Sequence, residues 1–188
     1  MKYLTKWLPT AVVAAFALHG ATVLKPARAA GMSRPAAQDE QRDYLSEDEA
    51  AKIRDDQTAA GRIKLYLSFA QDRLDKFEYE LNRPEHEAQY DDILNNLMNG
   101  YVGCVDDAAD QIDVAQEKQE DVRGAVKEMK DKDTAFLAKL QKFDQASGPD
   151  FDAYRYTLED AIEGTKEAIN DATDAEKTLL PGPVRRKQ

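Results

Sequence analysis

Between Ile53 and Leu81 the apolar residues return at intervals of three, four and seven. Ile53, Ala60, Ile63, Leu67, Ala70, Leu74, Phe77 and Leu81 fall on one stripe, interrupted only by Asp56. This is the period of an amphipathic helix carrying a heptad seam. Ser46 with Glu49 three residues later has the form of a capping box, and Leu45 stands where a hydrophobic staple packs on Ala50. The spacing therefore predicts a helix over 46–82. Asn82-Arg83-Pro84 stops it, since the residue before a proline is driven out of the α region, and Pro84 suits the first turn of the next helix.

A second series runs through Leu94, Met98, Tyr101, Val105, Ala108, Ile112, Ala115, Val122, Val126, Met129, Phe136, Leu140 and Phe143. It predicts a helix over 85–146, with Gln119 and Asp133 as polar exceptions and candidate breaks within 119–133. Ser147-Gly148-Pro149 supplies a glycine for a left-handed cap and a proline that cannot continue. The last stripe, Phe151, Tyr154, Leu158, Ile162, Thr165, Ile169, Ala172 and Leu179, predicts a helix over 150–179, closed by Pro181-Gly182-Pro183. Strand-like alternation is absent, so the fold class read from the pattern is all-α.

Two architectures fit these segments. Reversal at Arg83-Pro84 sets Ile63 against Cys104 and Val105, Leu67 against Gly100, Leu74 against Leu94 and Phe77 against Tyr90. Reversal at Gly148-Pro149 sets Leu158 against Leu140, Ile162 against Phe136, Ile169 against Met129 and Ala172 against Val126. Both outer helices then end beside Gln119. The leading expectation is an elongated arrangement of antiparallel helical hairpins in coiled-coil style, its central helix about 90 Å long. The alternative breaks the central segment and folds it into a compact four-helix bundle. Leu65, Tyr66 and Phe69 flank the first seam and favour the bundle or a homodimer, because a lone hairpin leaves them in water.

The start of the chain reads differently. Lys2 and Lys6 precede an apolar run from Leu8 to Leu18, and Ala27-Arg28-Ala29 places small residues at the −3 and −1 positions of a cleavage site. Residues 1–29 are expected to be a cleavable signal peptide; Pro9, His19 and the alanine richness of the run argue against a membrane anchor. Residues 30–44 follow as a polar leader without apolar period, and 181–188 as a basic tail with Arg185, Arg186 and Lys187. The expected destination is the periplasm or the medium, with no transmembrane helix left after cleavage.

Export changes the charge. The expected signal peptide carries Lys2, Lys6, Lys25 and Arg28 and no acid, so removing these four cations takes the formal net charge from −10 to −14. Such a surface repels nucleic acid and attracts cationic partners. Cys104 is the single cysteine, which excludes an internal disulfide and predicts a buried thiol.

Candidate chemistry is sparse. The part after the signal peptide has one histidine, His86, in the first turn of the second predicted helix and about 27 Å along that helix from Cys104. It lacks Glu-x-x-His pairs and a Cys-x-x-Cys-His element, so di-metal, haem and Cys-His catalysis are disfavoured and no cofactor is expected. Gly100, Gly103 and Cys104 make a small-residue run inside a helix, where each glycine costs about 1 kcal/mol against alanine. Close packing explains it, or a ligand pocket walled by Gly100, Tyr101, Cys104 and Tyr66. Asp106, Asp110 and Asp113 share a helical face and are the candidate cation ligands, although they lack the loop that wraps calcium. The leading functional expectation is an exported, non-catalytic interaction protein of the cell envelope: a scaffold, adaptor or chaperone-like binder with a protein partner. A bundle that binds a small molecule or divalent cation is the alternative, and an enzyme the least supported class.

Overall fold

Ser46 caps the first helix. Its hydroxyl accepts from the Glu49 backbone N–H at 3.3 Å and its own N–H donates to the Glu49 carboxylate at 2.9 Å, which satisfies donors that the first turn leaves free. The computed structural model describes residues 44–84, 89–146, 148 and 150–179. The expected signal peptide, nearly all of the polar leader, His86 and the basic tail lie outside the described residues. Five α-helices are present among them and no strand: α1 (Glu47–Asp55), α2 (Ala59–Leu81), α3 (Tyr90–Lys118), α4 (Arg123–Ala146) and α5 (Phe151–Thr178). None is long and apolar enough to cross a membrane.

The helix expected over 46–82 is two. Asp56 accepts from the backbone N–H and the hydroxyl of Thr58, at 2.9 and 2.8 Å, and Thr58 in turn caps α2 by accepting from Gly61 at 3.0 Å. Local side-chain bonds of this kind compete with the helical ladder, and here they end it. The polar residue that interrupts the seam is the residue that turns the chain.

The central segment also breaks. Gln119 adopts a left-handed conformation, φ 56°. Its N–H donates to Gln116 at 3.2 Å, and that of Glu120 reaches back to Ala115 at 2.9 Å. These two bonds form a Schellman motif without glycine, at a conformational penalty of about 1 kcal/mol. Glu120 offsets it by accepting from the Ala59 N–H at 2.8 Å, tying this turn to the start of α2.

The break gives the compact four-helix alternative in place of the long central rod. Helix α2 packs on α3 and α4, and α5 packs on the same two. Sequence neighbours α2/α3 and α4/α5 run antiparallel. The other adjacent pairs are parallel: Lys64 meets Glu128 and Lys139 meets Asp75 across α2/α4, while Asn95 meets Thr157 and Tyr101 meets Thr165 across α3/α5. The turn at Gln119 therefore carries the chain across the bundle diagonal, which Tyr101 and Phe136 bridge with ring centroids 5.9 Å apart. Tyr66 and Phe69, two of the residues that flank the first seam, are buried, and Leu65 is half-buried.

Registers shift where connections are longer than a tight turn. Helix α3 begins at Tyr90, so Gly100 lies beside Arg73 rather than Leu67. On α5 the buried stripe runs through Tyr154, Leu158, Ala161, Thr165, Ala168 and Ala172. Ile162 and Ile169 are only half-buried, because the small residues on α5 are the ones that admit the close approach of a parallel neighbour.

Candidate functional site

The small-residue run on α3 divides between two faces of the helix. Tyr101 and Cys104 point into the core at 0% exposure, and Tyr66 of α2 is buried in the same apolar core. The Tyr101 hydroxyl shares a 2.7 Å hydrogen bond with Thr165, whose own hydroxyl donates to the Ala161 carbonyl at 2.6 Å. Burial drives the Tyr101 phenol far above its ordinary range, so it stays protonated.

Gly100 and Gly103 lie on the flank, and what they accommodate is Tyr44. Its hydroxyl donates to Asp107, and its carbonyl accepts from Arg73 at 3.1 Å. A β-carbon at position 103 would sit 2.7 Å from the Tyr44 ring, closer than such atoms pack, whereas one at position 100 would meet Arg73 and Tyr44 at 3.5 Å or more. The glycine floor that the sequence offered to a ligand holds a side chain of the chain itself.

This contact gives a sign test. Alanine at a helical glycine gains about 1 kcal/mol from propensity, but overpacking removes about 1 to 3 kcal/mol. Gly103→Ala is expected to lose about 1 kcal/mol in urea unfolding. In a Tyr44→Ala background the same change is expected to gain about that much, as is Gly100→Ala in the native background. A loss at position 103 in both backgrounds would contradict this account of the glycine.

Arg73 organises the surrounding network. Its two terminal nitrogens fork the Glu49 carboxylate at 2.7 Å each, with both side chains nearly buried. The guanidinium beside it holds the Glu49 carboxyl down at about 2, assisted by the Ser46 N–H and hydroxyl. Neither Arg73, Glu49 nor Tyr44 was recognisable as a set, since residues 24 and 29 apart meet only after α1 folds back on α2.

The aspartates follow the helix period, as expected, but are not equivalent. Asp106 lies one turn above the others near Gly164 of α5. Desolvation by the neighbouring helix raises its pKa, and Asp110 and Glu167 add to the shift. Asp110 and Asp113 line an open groove of about 280 Å³ between α3 and α5, faced by Asp171 and Asp174 over a floor that includes Ile112 and Ala175. Because the two helices are parallel, both present their electronegative C-terminal halves here. Among the described residues only Lys177 pairs with one of the four, Asp174, at 2.8 Å. No group of three His, Cys, Asp or Glu side chains among the described residues is close enough to hold a metal ion.

Asp171 and Asp174 escaped the sequence reading. Their signal is the acidic stripe Glu163, Glu167, Asp171, Asp174 on α5, spaced like the one on α3; only the parallel arrangement turns two stripes into one groove. Comparison of the chain with protein-family models, with curated proteins and with solved structures finds no match in any of the three.

Proposed function

We propose that this chain is an exported, non-catalytic interaction protein of the cell envelope, periplasmic or secreted, whose working face is the acidic groove between α3 and α5. The observation that carries the reading is the pairing of carboxylates with an apolar floor: Asp110 and Asp113 on α3 and Asp171 on α5, none in an ion pair among the described residues, line the groove together with Ile112 and Ala175. Charge at the rim steers and selects a cationic partner, and the floor takes up an aliphatic stem or apolar side chain. A lysine- or arginine-rich protein segment has both properties. The export pattern of residues 1–29 and the strongly acidic composition support the setting.

A labelled basic peptide tests it by fluorescence anisotropy. Neutralising Asp110 and Asp171 together as asparagines is expected to weaken binding about tenfold at low salt, with the difference shrinking as salt is added. Neutralising Asp92 and Asp131, exposed residues outside the groove, is expected to change it less than about twofold. Equal losses from both pairs would mean attraction to the whole surface and would remove the groove from the proposal.

The groove volume also supports a second reading, a small cationic ligand or hydrated divalent ion, since it is near the lower end of small-molecule sites. A rise in melting temperature with an organic diamine or with calcium, lost in the Asp110/Asp171 variant, would favour that reading over the peptide.

A further inference from the structure

Asp133 occupies a core position of α4 between Met129 and Phe136, at 0% exposure, and neither of its carboxylate oxygens has a hydrogen-bond partner among the described residues. The surroundings supply no counter-charge. From α3 the buried titratable groups are Cys104 and Tyr101; the Tyr101 phenol feels the Asp133 charge, and its hydroxyl is engaged with Thr165 of α5. Helix α2 runs parallel to α4 in a register fixed by Lys64 with Glu128 and Lys139 with Asp75. That register brings Phe69 and Ala70 alongside; of the titratable groups within a turn, Tyr66 is buried, Arg73 is taken up by Glu49 and Asp72, and Asp72 also by Lys76. On α5 the buried residues of the facing stretch are Thr165, Ala168 and Ala172, and the charged Lys166, Glu167 and Asp171 are exposed. Lys132, on its own helix, is the one cation whose field reaches it, and burial outweighs that field. A carboxylate ion without a hydrogen bond in such a site is heavily penalised, and the neutral acid is not.

We propose that Asp133 is a proton-binding switch in the bundle core: the four helices close on the protonated carboxyl group, and loss of its proton loosens α4 from Tyr101 and its neighbours. Burial raises the folded-state pKa from 3.8 to about 7. Between those values the folded chain holds a proton that the unfolded chain has released, so stability falls as pH rises and levels off above about 7. The folding constant changes by up to tenfold per pH unit in that window. Glu49 acts in the opposite sense and well below it, so the two effects separate on the pH axis.

Urea unfolding of the full chain from pH 5 to 8.5 tests the switch, with Asp133→Asn and Asp133→Leu beside the native protein. The native folding constant is expected to drop about fiftyfold between pH 5 and 7, and those of both variants less than about threefold. Groups common to all three proteins cancel in the comparison. Parallel curves for native and variant proteins, or a flat native curve, would overturn the proposal. Should neither variant fold, carbon-13 spectra of the aspartate-labelled native chain decide: a buried carboxyl resonance titrating near pH 7 supports the switch, and aspartate midpoints all near 4 refute it.

Discussion

Arg73→Met should release α1 from the bundle. Helix α1 has no fully buried residue of its own; beyond the partly buried Leu45 and Ile53, its hold on α2 is the forked Arg73–Glu49 pair and the bond from Arg73 to the Tyr44 carbonyl. Methionine keeps much of the apolar stem and removes the charge, which leaves the Glu49 carboxylate nearly buried and unpaired. Breaking one side of such a pair costs about 3 kcal/mol. Amide exchange across residues 47–55 is expected to accelerate about a hundredfold, with α3 to α5 still protected. The native protein gains stability from this pair above the ordinary Glu pKa of 4.5, and loses it as pH falls towards about 2, where Glu49 takes up a proton. The variant should lack that acid-sensitive step. Uniform deprotection of all five helices would show instead that Arg73 supports the whole core.

Phe77→Ala should be the most damaging single truncation near the α4–α5 turn. The ring is fully buried and meets Phe143 of α4 and Tyr154 of α5, each with centroids 5.2 Å away, so three helices lose a shared contact at once. Burial lost plus the cavity left behind amounts to about 4 kcal/mol, a large part of the roughly 5 to 15 kcal/mol that stabilises a domain. Two residues along, Tyr79 is 66% exposed with Arg83 over its ring at 6.0 Å. Tyr79→Ala should stay within about 0.5 kcal/mol. Comparable losses at the two positions in denaturant unfolding would contradict the aromatic cluster as a centre of stability.

The legible part of this fold is what local chemistry decides. Ser46 and Glu49 announce the start of α1, the apolar stripes announce every long helix, and Gln119 marks the point where the central segment turns. Asp56 and Gln119 could be seen as exceptions, but whether an exception is tolerated or ends a helix depends on partners elsewhere. Thr58 supplies a cap in one case, and Glu120 reaching Ala59 secures the turn in the other. Asp133 illustrates the reverse: the same kind of interruption stays helical and is simply buried. On the candidate sites, periodicity correctly put Asp110 and Asp113 on one face, while the opposing carboxylates came from a helix some 60 residues away. Tyr44 was invisible for the same reason, since its place over Gly103 exists only once α1 and α2 have brought Arg73 into reach.

The diagonal crossing at Gln119 bears on how the molecule comes together. Each hairpin closes a short loop, but the bonds that join the hairpins link residues far apart in the chain: Tyr101 to Thr165 and Lys139 to Asp75 are both separated by 64 positions. Loop-closure entropy grows only slowly with length, about 0.6 kcal/mol per doubling, so the distance is affordable once both hairpins exist. Neither hairpin covers its own apolar face, because each helix takes its second neighbour from the other half. The halves consequently stand or fall together, and damage to one is felt as a loss of stability throughout the bundle.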